Sequence, residues 1–220
     1  MSKISLVIKI RPNDMPLWQD CQWRRNACGG DDCPICGRIN RDRKRHIEFG
    51  EDPDSIDSVM ADVSNSFKEM LSLLKIDMEK KGIDMDTVYE EEKNPMPIDF
   101  PIYNKIMQWR QGVYDIVEDS TEDSDAWLKT EAGENLMWYS STLMVKIFRQ
   151  LSTVWQMKRG KGEFLESEYR YTGFVLGEVI DILEKSLNEL STNGGVFAGQ
   201  FNIARLSFDA IRQEILNYKI

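Results

Sequence analysis

Residues 21–36, CQWRRNACGGDDCPIC, hold every cysteine of the chain, Cys21, Cys28, Cys33 and Cys36. The spacing is C-x6-C-x4-C-x2-C. Its second half, Cys33-Pro34-Ile35-Cys36-Gly37, has the form of a zinc knuckle. Two thiolates separated by two residues grip one ion from a tight turn, and a glycine directly after lets backbone amides point at sulfur. Cys28-Gly29-Gly30 offers a second flexible turn, while the wider gap from Cys21 to Cys28 is irregular. Disulfides would need an oxidising compartment. An iron–sulfur cluster is the other chemistry open to four clustered thiolates, although in the bacterial ferredoxin run the proline follows the last cysteine and here Pro34 lies between two. The reading is structural zinc on Cys21, Cys28, Cys33 and Cys36. Four thiolates leave no coordination position open for substrate. Such an ion contributes on the order of 10–16 kcal/mol of folding free energy in finger peptides, enough to order a glycine-rich segment with little core.

Working outward, Arg38, Arg41, Arg43, Lys44 and Arg45 follow the last cysteine within ten residues. Cations fixed beside a knuckle are a recurring phosphate-contact arrangement, so this segment is the candidate contact for an acidic protein or nucleic-acid partner. The competing possibilities are a solvated turn and arginines docked on the chain's own acids. His46, the sole histidine, reads as an ordinary surface residue. With Arg41 it resembles, in bare spacing, the ribonuclease motif of HEPN domains, but it stands outside the helical segments that motif requires. Trp18 and Trp23 flank Cys21 and suit a small apolar cap over the metal.

Upstream, residues 2–10 alternate Ile4, Leu6, Ile8 and Ile10 on one face, a strand pattern ended by Pro12. A lone strand must pair, and the cysteine segment is its nearest partner in sequence. No apolar run reaches eighteen residues and the first residues lack a signal-peptide cleavage site, which points to a cytoplasmic protein. The net charge is −9. Residues 1–50 carry ten Lys/Arg against six Asp/Glu, a net of +4, and the remaining 170 carry 18 against 31, a net of −13. So acidic a body excludes wholesale nucleic-acid binding, and any such contact must be local.

Downstream the period changes from two to three and four. Ser55 caps a long helix striped by Ile56, Met60, Val63, Phe67, Met70, Leu74 and Met78, and Gly82 ends it. Residues 84–98 connect, with a short helix near Thr87–Lys93. A second helix opens near Pro101 with Ile102, Ile106, Trp109, Val113 and Ile116 inward, and runs into an acidic loop, Glu118–Asp125. A third spans 131–159 around Leu136, Leu143, Ile147, Leu151 and Val154. A fourth spans 163–190 on the cleanest stripe of the chain, Leu165, Tyr169, Thr172, Leu176, Val179, Leu183, Leu187 and Leu190. A fifth spans 199–218 with Ala204, Phe208, Ile211 and Ile215 inward. Short polar turns between long helices favour antiparallel packing. The expected fold is therefore mainly α, an antiparallel bundle of four to five helices carrying an N-terminal β-strand and a four-cysteine zinc knuckle. The expected domains are residues 1–50, strand plus knuckle with its basic tail, and 51–220, the bundle.

The expected function is non-enzymatic binding, a zinc-stabilised adaptor whose basic knuckle contacts the acidic partner. The alternatives are an iron–sulfur protein using the same cysteines and a Mg-dependent enzyme. Glu163-x-x-Glu166 and Glu178-x-x-Asp181 resemble the acidic pattern of the all-α nucleotide pyrophosphohydrolases, which chelate magnesium around a triphosphate. On one helix, however, Glu163 and Asp181 stand about 27 Å apart. Di-iron chemistry is excluded, because it needs a Glu-x-x-His motif on two helices and there is one histidine.

Overall fold

The computed structural model describes residues 5–82, 95–121, 125–160 and 164–218. It is mainly helical, with α1 (Pro34–Glu48), α2 (Ile56–Lys81), α3 (Pro101–Glu118), α4 (Glu131–Met157), α5 (Leu165–Asn193) and α6 (Ala198–Leu216). The short helix expected near Thr87–Lys93, and Glu163 of the acidic pattern, lie outside the described residues. The chain divides into two compact units, residues 1–15 with 95–220, and residues 16–94. The boundary expected at residue 50 falls within the second of these, between α1 and α2.

The first unit is a four-helix bundle of α3 to α6. Pro101, at the first helical position, starts α3 with the one residue that has no N–H to orphan. Thr130 caps α4 by accepting the Gly133 N–H at 3.0 Å. Pairings fix the directions. Early α3 meets late α6 through Lys105 and Glu214 at 2.6 Å, and Trp109 stacks against Phe208 and donates to the Ala204 carbonyl at 2.9 Å. Tyr103 meets Phe148 and Arg110 meets Ser141, so α4 runs antiparallel to α3. Late α4 meets early α5 where Arg149 pairs with Glu168. All five stripe residues of α3 are buried, as are Leu136, Leu143, Ile147, Leu151 and Val154 of α4. In α5 the run 171–176 is buried on every side, and Leu183, Leu187 and Leu190 continue the inward face.

That all-round burial explains the N-terminal segment. Among the described residues there is no β-strand; the strand expected over 2–10 is overturned for its described part. Residues 5–8 lie instead across α5. The Ile8 N–H donates to the Gly173 carbonyl at 3.0 Å, and the Leu6 carbonyl accepts from Gln150 Nε2 at 3.1 Å. A helical carbonyl has a second lone pair to offer, and a glycine lets the chain come close enough to use it. A Cβ at Gly173 would stand 3.2 Å from the Leu6 carbonyl oxygen and 3.1 Å from Ile8 Cγ1, and one at Gly177 would stand 3.1 Å from Val7 Cγ1. Two glycines four residues apart thus make a groove that replaces a partner strand. Leu6 is fully buried there, whereas Ile10 is 80 % exposed, so the alternating face does not persist.

The second unit holds the cysteines and an antiparallel pair, α1 and α2. Arg45 pairs with Asp62, Arg43 with Asp54 and Arg38 with Glu69, so α2 recedes along α1 as α1 is read backwards. Ser55 caps α2 by accepting the Ser58 N–H, and Gly82 ends it with φ 65°, both as the sequence predicts. The apolar stripe of α2 is exposed rather than enclosed: Ile56, Met60, Val63, Phe67, Met70 and Leu74 all stand open.

Candidate metal centre

Each cysteine is placed by a different local device. Cys21 lies in a 3-10 helix, Leu17–Gln22, that packs on α1. Cys28 precedes Gly29, whose φ of 70° turns the chain back. Cys33 is the N-cap of α1, and Cys36 lies in its first turn. Pro34 fits between them because the first helical position needs no N–H. Gly37 has a sharper reason than turn flexibility: a Cβ there would stand 2.1 Å from the Asp31 carbonyl oxygen. Only glycine lets the loop that delivers Cys28 and Cys33 press so closely on α1. Asn40 ties the same loop down, donating to the Gly29 carbonyl at 3.2 Å and to Asp31 Oδ1 at 2.8 Å. Together with the Lys44 and Arg41 charges, that bond to Asn40 holds the Asp31 carboxyl below its ordinary pKa. Sequence reasoning missed Asn40; its place one turn after Gly37, facing a glycine-rich loop, was the available signal.

The four sulfur atoms all lie within 4.8 Å of one another. Cys28 to Cys36 is 3.5 Å, and Cys21 is 3.7 Å from both Cys33 and Cys36. The thiols are free, with no disulfide. The cluster is the one group of three or more metal-ligating side chains among the described residues. Backbone amides point into it. The Cys36 N–H, then the Ile35 N–H, reach Cys33 and pull its thiol down to about 7. The Cys28 amide works in the same sense on Cys21, but burial and the neighbouring thiols push that group up to about 12. Cys33 is thus the thiol readier than Cys21 or Cys36 to offer a thiolate, and a cation held there would favour deprotonation of its neighbours. Trp23, expected as part of an apolar cap, is buried at 2 % exposure, and Trp18 is half-buried.

The basic residues divide. Arg38, Arg43 and Arg45 each hold a carboxylate of their own unit, Glu69, Asp54 and Asp62, yet keep side chains about two-fifths exposed. Arg41 and Lys44 are exposed and have no ion-pair partner among the described residues beyond their electrostatic pull on Asp31. His46 is not the surface residue the sequence suggested. It is 5 % exposed, with Nδ1 2.5 Å from Glu51 Oε2 and Nε2 3.0 Å from Asp62 Oδ1. A carboxylate at each nitrogen favours the protonated ring, the form that can donate from both. Its pKa is raised first by the bond to Glu51 and then by that to Asp62.

The acidic pattern stays on one helix. Glu166, Glu178 and Asp181 all belong to α5, and Glu178 and Asp181 line a cleft of about 230 Å³ together with Lys9 and Arg212. Glu166 and Asp181 are separated by fifteen residues, about 22 Å of helix, too far to share one ion. No protein-family model matches this chain, and no curated protein or solved structure is significantly similar to it.

Proposed function

We propose that Cys21, Cys28, Cys33 and Cys36 hold one structural zinc ion, and that the protein is a non-enzymatic binding module organised by it. The observation that carries the first half is the sulfur spacing. A tetrahedral site with Zn–S bonds of about 2.3 Å has edges of about 3.8 Å. Three of the six sulfur pairs, at 3.5 and 3.7 Å, fit that figure, and all six lie within 4.8 Å. Thiolates bound to different irons of a cluster stand farther apart than thiolates sharing one ion, so the single-ion reading is favoured over iron–sulfur. A closed set of four thiolates leaves nothing open for substrate, which supports a structural ion and a binding role.

The partner contact remains on α1, and its chemistry narrows. Three of the five cations already take carboxylates, which supports an acidic protein segment over a polyanionic backbone: Arg41 and Lys44 alone neutralise few phosphates. Glu69, Asp54 and Asp62 mark the kind of group this face accepts. The test begins with metal analysis of the purified protein. One zinc per chain and a colourless solution are expected; iron with sulfide, or fewer than half an equivalent of any metal, overturns the site. Binding to acidic peptides should then weaken with salt and with Arg41→Ala plus Lys44→Ala.

A further inference from the structure

The feature that neither the metal nor the cations use is the face of α2. Ile56, Val59, Met60, Val63, Phe67, Met70, Leu71, Leu73, Leu74 and Ile76 are each between 44 % and 81 % exposed. A helix apolar over so much of its length is not stable in water unless something covers it. Its neighbour α1 covers little. Between the two helices runs an open groove of about 500 Å³, floored by Ile39, Val59, Val63, Phe67 and Met70. Two helices alone cannot enclose a core; four can.

We propose that the α1–α2 hairpin pairs with a second copy of itself, α2 lying antiparallel on α2 about a two-fold axis near Phe67. Three observations select this occupant. First, Ile56, Met60, Val63, Phe67, Met70 and Leu74 follow steps of four and three, the 3.5-residue average of a seam between like helices. The stripe from Ile56 to Met78 has Phe67 at its midpoint, so an antiparallel two-fold sets Met60 against Leu74 and Val63 against Met70 and Leu71. Second, α2 is acidic in its first turn at Asp57 and basic in its last at Lys80 and Lys81. Antiparallel pairing opposes the helix dipoles and sets Lys80 opposite Asp54, while Asp57 faces Asp77; parallel pairing would align the dipoles and stack like on like along the whole length. Third, the area suffices. Nine of these side chains, Ile76 lying half a turn round from Phe67, offer about 900 Å² per copy at roughly 100 Å² each, against about 800 Å² per partner in a stable interface. The residues beside the seam, Ser64, Ser66, Leu71 and Leu73, carry no charge that would forbid close approach. The groove beside α1 then receives side chains of the second copy's helix, and two hairpins make a four-helix core that one cannot. This pairing does not depend on which metal the cysteines hold, so metal analysis and the following experiment fail independently.

The experiment is the solution mass of the full-length, metal-replete protein by light scattering over a concentration series. Twice the 25.6 kDa chain mass is expected at micromolar concentration. Phe67→Glu and Met70→Glu, at the centre of the seam, should each return the mass to one chain with helical circular dichroism retained. Ser72→Glu, on the far side of α2, should leave the dimer unchanged and shows that charge alone is not responsible. A wild-type chain that stays monomeric through the series overturns the proposal, as does a dimer indifferent to both seam variants. Were the seam variants to misfold, Leu74→Ala serves instead, with an expected weakening of dimerisation of at least tenfold.

Discussion

α2 and α3 carry stripes of the same period and comparable composition, yet one is open and the other closed. Ile102, Ile106, Trp109, Val113 and Ile116 of α3 are all buried, while Ile56, Met60, Val63, Phe67, Met70 and Leu74 of α2 are all exposed. The difference lies in their neighbours. α3 packs against both α4 and α6, and α5 completes the ring. Within its own unit α2 has α1 alone, held largely by ion pairs and by His46. The bundle is thus stabilised by its own apolar core, whereas the cysteine-bearing unit is held by discrete fastenings: four clustered thiols, three arginine–carboxylate pairs and one buried histidine between two carboxylates. Hydrophobic periodicity reports which face of a helix wants cover. Whether the same chain supplies the cover is a separate property.

The contrast is tested most severely by removing the ion proposed for the four cysteines. A chelator should unfold the cysteine loop and loosen α1, because little apolar surface in that unit can replace the ion. The bundle should remain. Far-ultraviolet circular dichroism should lose at most roughly a third of its helical signal, the share held by the 15 residues of α1 and 26 of α2 beside the 18, 27, 29 and 19 of α3 to α6. Limited proteolysis should cut first within residues 16–50. Loss of the whole helical signal would show that the two regions fold as one and would remove the contrast.

What could be read in advance follows the same division. In the bundle, the inward stripes and the proline that opens α3 were legible, because each helix meets neighbours of its own kind and period 3.6 decides the face. The cysteine set was legible because side-chain chemistry at short spacing needs little tertiary knowledge. Three things were not. The N-terminal alternation of Ile4, Leu6, Ile8 and Ile10 looks like a strand, but its acceptor is a helical groove made by Gly173 and Gly177, some 165 residues away in sequence. Nothing in residues 2–10 encodes that. His46 gave no sign of burial, since its two carboxylates come from beyond Gly50 and from the second turn of α2. The exposure of α2 was invisible because a pattern cannot state the number of a helix's neighbours.

A smaller perturbation sharpens the comparison within the apolar residues. Leu183 is completely buried in α5, so Leu183→Ala leaves a cavity and should cost about 2–5 kcal/mol in global unfolding. Leu73 is 61 % exposed in α2. At dilutions where the chain is a single copy, Leu73→Ala should change the unfolding free energy by less than about 0.5 kcal/mol. Equal losses for the two variants would mean that α2 is covered in solution even in the single chain, and the two stripes would no longer differ.

The smallest expected effect concerns the fastening that is neither apolar nor metallic. His46 is enclosed by Glu51 on Nδ1 and Asp62 on Nε2, and Asp62 also receives Arg45 at 2.5 Å. Both carboxylates favour the charged ring, so the folded pKa lies above the ordinary histidine value of about 6.5. A raised pKa means the folded hairpin binds this proton more tightly than the unfolded chain does. The stabilisation is therefore complete below about 6.5 and is lost as the pH rises through the folded value, where the neutral ring can donate to one carboxylate only. Because the chain has a single histidine, its ring resonances titrate without overlap and give the folded pKa directly. A value above 6.5, with α1–α2 stability falling over the same interval and flattened by His46→Gln, is the expected result. A value at or below 6.5 would mean that desolvation outweighs the two carboxylates. The hairpin would then rest on its thiols and arginines alone, and its contrast with the bundle would narrow to the metal.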